Sequence, residues 1–154
     1  MADAKLEQKL ERLLDRLEIL LPKIEDEVDW SAAAFRWRRK QYLGMSYGVL
    51  EPIHRVALVD PDSIKNADQQ KAALLRNTEQ FVRGLPANNV LLTGARGTGK
   101  SSLIRACLKQ FADQGLRLIE VDKEDLKDLI DIAQRIADRP EKFIVFCDDL
   151  SFEF

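Results

Sequence analysis

Leu6, Leu10, Leu13, Leu17, Leu20 and Ile24 follow one another at alternating steps of four and three, the spacing that keeps apolar side chains on one helical face. Leu14 and Leu21 widen that stripe beyond a narrow seam, so a bundle contact is predicted in preference to a long zipper, with a coiled-coil dimer as the alternative. Pro22 lies inside the pattern and should kink the helix or start a new one. In "DWSAAAFRWRRKQYLG", Trp30 and Trp37 are seven residues apart, as are Phe35 and Tyr42. At about 3.6 residues per turn, this spacing predicts a helix with aromatic groups on two sides, sandwiched between other elements. Gly44, Gly48, Pro52 and Pro61 then punctuate a stretch of turns and extended chain, which holds the expected boundary near residue 56.

Beyond it, "ADQQKAALLRNTEQFVRG" is predicted helical until Gly84 and Pro86 stop it, with Asp62 or Ser63 able to cap its start. The pattern then alternates. A short buried strand is expected over Val90 to Thr93, a helix over Lys100 to Ala112 ended by Gly115, and a strand over Leu116 to Val121. Asp122 is a natural N-cap for a helix from Lys123 to Ala137, with Glu124 and Asp125 favouring its dipole, and "KFIVFCDD" forms a third strand. Strands alternating with helices of this length predict a parallel sheet covered on both faces. The expected fold is α/β: a partial parallel core of about three strands in residues 57–154, preceded by a helical N-terminal region, residues 1–56.

Composition narrows the partners. The 154 residues are 45% hydrophobic and 32% charged, as in a globular chain, and a net charge of −2 gives no overall basic field to attract nucleic acid. Only a local patch could do so: Arg36, Arg38, Arg39 and Lys40 sit among aromatics, an arrangement able to pair phosphates and stack bases. The weightier alternative makes the aromatics core and the cations a solvated or acid-paired rim, because "EDEVD" lies just upstream. No stretch approaches the roughly 20 apolar residues of a membrane span. The N-terminus lacks the pattern of a signal peptide, so the expectation is a cytoplasmic protein without a membrane partner. Cys107 and Cys147 are isolated and read as small reduced thiols, and the single histidine, His54, has no ligand set beside it.

The chemistry concentrates in Gly94-Ala95-Arg96-Gly97-Thr98-Gly99-Lys100-Ser101, followed by Ser102, which satisfies GxxxxGK[ST]. Chance gives that pattern in about one 150-residue chain in two hundred, and here an expected strand precedes it and an expected helix follows. Gly94, Gly97 and Gly99 permit a loop that turns backbone N–H groups inward as a nest for phosphate oxygens. The helix N-terminus adds its positive end. Lys100 would reach the β- and γ-phosphates, and the Ser101 hydroxyl would bind Mg²⁺. The apolar run Phe143 to Cys147 delivers Asp148-Asp149 to the C-terminal edge of the expected sheet, facing the same crevice. Asp148 is the candidate for holding Mg²⁺, and Asp149 for orienting or deprotonating an attacking water.

This loop together with "FIVFCDDL" resembles the additional-strand branch of P-loop ATPases, which includes the AAA+ proteins. More specifically, "NTEQFVRGLPANNVLLTGARGTGKSSL", "LRLIEVDKEDL" and "FIVFCDDLSFE", with "AFRWRR" and "LEPIHR", resemble a bacterial family of predicted AAA+-like ATPases known as a domain of unknown function. The resemblance implies ATP in preference to GTP. It also implies that "NADQQKAALLRNTEQF" occupies the place where such proteins contact adenine. It further implies another strand between the P-loop strand and the Asp148 strand, but only Leu150 to Phe154 follow the acids. Either the chain is a truncation, the favoured alternative, or the two strands pair directly.

Three functions are open on this reading. One is an ATPase coupling MgATP hydrolysis to movement of an unknown protein partner, although Asp149 is shorter than the glutamate usual in AAA+ proteins. The second is a nucleotide-gated binding module without turnover. The third is a nucleic-acid-associated ATPase acting through residues 36–40. Homo-oligomerisation is open in each, and little hydrolysis is expected of the chain as it stands.

Overall fold

Phe35 and Trp37 sit two residues apart and are both fully buried, while Arg36 and Arg38 alternate with them on the opposite, exposed side. That is the period of a strand. The computed structural model, which describes residues 2–20, 28–90, 92 and 97–147, places them in β1 (Ala34–Tyr42), not in the helix that the seven-residue aromatic spacing predicts. β1 turns into β2 (Met45–Pro52) through Leu43 and Gly44, whose φ values of 48° and 79° are both left-handed. Such a two-residue loop matches the natural twist of a hairpin. Pairing decides the outcome: β1 bonds antiparallel to β2 along its length, and Ala34 to Arg36 pair in parallel with Leu118 to Glu120. No local helix could replace those bonds.

The remaining elements are α1 (Ala2–Leu20), α2 (Asp68–Val82), α3 (Lys100–Phe111), β3 (Leu116–Glu120), α4 (Leu129–Ile136) and β4 (Lys142–Phe146). The predicted helix from Lys123 is split: residues 123–128 form a 3-10 helix, and only the rest is α4. Asp122 precedes it but does not cap it through its side chain, which lies 3.6 Å from Arg38 instead. The sheet order is β2-β1-β3-β4, parallel except for the hairpin, so the fold is α/β as the alternation predicts.

Alternation along the strands gives the sheet two apolar faces. Ala34, Leu116, Leu118 and Ile144 pack with Leu74 of α2 and with Ile104, Cys107, Leu108 and Phe111 of α3. Phe35, Trp37, Leu50, Ile119 and Val121 pack with Ile132 of α4 on the other face. Both faces are therefore covered. Two expectations and one alternative are not met among the described residues. Val90 and Leu92 are not in a strand, since no neighbouring strand offers them a ladder among the described residues; Leu91 and Thr93 lie outside those residues. The direct pairing of this segment with β4 is likewise not formed among them. The bundle contact predicted for α1 is also missing within the chain: among the described residues no element packs extensively against it, and Leu6 to Leu17 stay exposed. Pro22 lies outside the described residues.

Candidate glycine-rich anion site

α3 starts directly behind two glycines in left-handed backbone, Gly97 at φ 81° and Gly99 at φ 85°. An L-residue there would be strained, although among the described residues, chain neighbours and the helix's own backbone apart, a methyl group at either position would meet nothing within 4 Å. The turn is thus bent by its backbone, with Gly97 and Thr98 exposed. The first N–H of the helical ladder is that of Leu103, which donates to Gly99 O at 3.0 Å. The N–H groups ahead of it belong to Lys100, Ser101 and Ser102, in a first turn that carries no acidic residue. A helix end of this kind favours negative charge.

Packing fixes the direction of this end. The apolar positions of α3, from Leu103 to Phe111, are buried against the sheet. The chain then passes through Gly115, left-handed at φ 93°, straight into β3. The helix rises about 18 Å and the strand returns about 16 Å, so the N-terminus of α3 reaches the sheet edge where β3 and β4 end. At its other end, Lys109 donates to Asp60 at 2.7 Å. That bond, with a second from the Asp62 N–H, holds the Asp60 carboxyl below its ordinary range.

Of the candidate residues, Gly97, Thr98, Gly99, Lys100, Ser101 and Ser102 are brought together here, the last three half-buried. Gly94, Ala95 and Arg96 lie outside the described residues, as do Asp148 and Asp149, which come after Cys147 and the end of β4 in sequence. One contributor escaped the sequence patterns. The Asn77 side chain of α2 donates to Asn88 O at 2.7 Å and accepts from Asn88 N–H at 2.9 Å, gripping the approach to the loop as a neighbouring strand would. An asparagine on a polar helix face gives no signal of that role.

The basic segment is engaged elsewhere. Arg36 meets Glu120 at 2.7 Å, Arg39 meets Asp128 at 2.7 Å, Lys40 meets Glu51 at 3.0 Å, and Arg38 lies 3.6 Å from Asp122. Trp37 and Phe35 are core. The cations thus form an acid-paired rim around buried aromatics.

A mostly parallel sheet covered on both faces, with a glycine turn opening a helix at its C-terminal edge, is compatible with the core of a P-loop NTPase. Residues 30–154 match the family described as protein of unknown function (DUF815), and the chain belongs to that family. A stretch of 75 residues is 33% identical to the replication factor C large subunit of Sulfolobus acidocaldarius, covering 48% of this chain and 17% of that protein. No solved structure matches the chain. Family membership, this similarity and the glycine-rich motif together support a relationship to P-loop ATPases. No helix among the described residues is long and apolar enough to cross a membrane.

Proposed function

We propose that the protein binds MgATP in the loop Gly94 to Ser102, and that the whole protein is an AAA+-like ATPase acting on a protein partner. The observation that carries this is the pair of left-handed glycines set against an α3 first turn that contains Lys100 and Ser101 and no carboxylate. These residues fit a polyphosphate: backbone N–H groups and one ammonium meet its charge, and Gly97 and Thr98 are exposed. Ser101 and Asp148 would hold the Mg²⁺, and Asp149 would orient or deprotonate water. Bound Mg²⁺ neutralises charge on the β- and γ-phosphates.

Titration calorimetry with MgATP on wild type and Lys100→Ala tests this. Saturable heat in wild type, lost in the variant, is expected; equal heats in both would refute it. Mg²⁺-dependent phosphate release then separates an ATPase from a nucleotide-gated module, which Asp149 in place of a longer glutamate keeps as the second reading. The pairing of Arg36 to Lys40 with acids argues against a nucleic-acid role for that segment.

A further inference from the structure

We propose that α1 is a self-association element, and that its leucine face docks on the α1 of a second copy of this chain with the two helices parallel. Leu6, Leu10, Leu13, Leu14 and Leu17 are between 51% and 64% exposed, although at about 100° per residue they share a single arc of about 100°. An apolar stripe of that continuity on an otherwise charged helix asks for a cover. Among the described residues nothing supplies one, since no element packs extensively against α1. The family match spans residues 30–154 and does not include this helix.

Charge selects the occupant. Lys5, Lys9, Arg12 and Arg16 fall within an arc of about 60° on one side of the leucines, and Glu7, Glu11 and Asp15 within about 80° on the other. When two such helices face each other in parallel about a two-fold axis, the basic flank of each meets the acidic flank of its partner. In the antiparallel arrangement basic meets basic and acidic meets acidic. The segregation therefore favours a parallel pair and opposes the alternative. It also opposes a membrane surface. Interfacial helices carry lysine and arginine across the polar face, whereas here the acidic flank would lie against anionic headgroups. Three heptads make a small interface, so a concentration-dependent dimer is expected.

Sedimentation equilibrium of the full chain over a concentration series should show mass rising to twice that of the monomer. Leu10→Glu/Leu17→Glu should remain monomeric throughout while keeping the wild-type thermal transition of the sheet body, which α1 does not support. Lys9→Glu/Arg16→Glu should weaken the dimer about tenfold, at a few tenths of a kcal/mol per charge pair. Reversing the other flank as well, with Glu7→Lys/Glu11→Lys, should restore it. Leu6→Cys in a Cys147→Ser background should oxidise to a covalent dimer, because only the parallel pair brings the two sixth residues together. A monomeric wild type, a dimer that survives Leu10→Glu/Leu17→Glu, or a dimer whose Leu6→Cys residues do not cross-link would each overturn the proposal. So would flotation of a monomeric wild type with vesicles containing phosphatidylserine, which would give this face to a membrane.

Discussion

The indole Nε1 of Trp37 donates to the carboxylate of Asp128 at 2.9 Å, joining a strand to a turn 91 residues later. Both groups are buried, at 1% and 4% exposure. The other carboxylate oxygen accepts from Arg39 Nη1 at 2.7 Å, so one acid holds two side chains of β1. Asp128→Ala would strand a buried N–H and remove the partner of a guanidinium. It should cost about 2–4 kcal/mol in urea unfolding. Asp128→Asn keeps an acceptor for the indole and should cost less. A loss under about 0.5 kcal/mol in the alanine variant, the level of an ordinary surface change, would show that the pair does not hold the hairpin.

Gly48 on β2 lies against the indole of Trp37, and any Cβ there would overlap the ring. Neither residue can yield easily, since the Trp37 Nε1 is held by Asp128 and its ring lies 5.6 Å from the Arg135 guanidinium. Gly48→Ala should therefore destabilise by about 1–3 kcal/mol, the range for overpacking. A blue or red shift in tryptophan emission should accompany it. Wild-type stability with unchanged emission would count against this contact.

The same two residues show what the sequence could and could not convey. Gly48 reads as turn punctuation, yet its role is to make room for an aromatic ring brought across from another strand. Trp30 and Trp37, seven apart, imitate a helix, while the strand signal is the shorter pair Phe35 and Trp37. The deciding bonds, Ala34 to Arg36 with Leu118 to Glu120, span more than eighty residues and leave no local trace. By contrast α2, α3, β3 and β4 were legible because a glycine or proline bounds each apolar run on at least one side: Gly84, Gly99, Gly115 and Pro140. The glycine turn stands out in the sequence as candidate chemistry, since few other roles need that spacing. Its support does not: Asn77 and Asn88 look like surface residues until the fold brings them together.

Acid should weaken one corner of the fold. Arg139 donates to Glu141 through Nη2 at 2.7 Å and Nε at 3.0 Å, and its guanidinium also lies 4.6 Å over the Trp30 ring. That pairing holds the Glu141 carboxyl below its ordinary value of 4.5. A depressed folded-state pKa contributes stability that is fully present above the unfolded value and is lost as pH falls through the folded one. Glu141→Gln should thus be less stable than wild type by a constant margin near neutral pH. The margin should close as pH drops below about 4.5. A margin independent of pH down to full protonation would assign the loss to packing instead.

Gly99 and Gly115 provide a matched test of the loop. Both are left-handed, at φ 85° and 93°, and among the described residues a methyl at either meets nothing within 4 Å beyond its own chain neighbours and helix backbone. Alanine at either should therefore cost the same conformational penalty, about 1–2 kcal/mol. They differ in position: Gly99 caps the start of α3 inside the GxxxxGKS turn, and Gly115 lies past its far end at the entry to β3. If the turn holds a nucleotide, Gly99→Ala should also lose at least about tenfold in MgATP affinity, because a shifted φ redirects the N–H groups that would meet phosphate. Gly115→Ala should bind as wild type does. Equal affinities in the two variants, at equal loss of stability, would separate the strain of the turn from any role in binding.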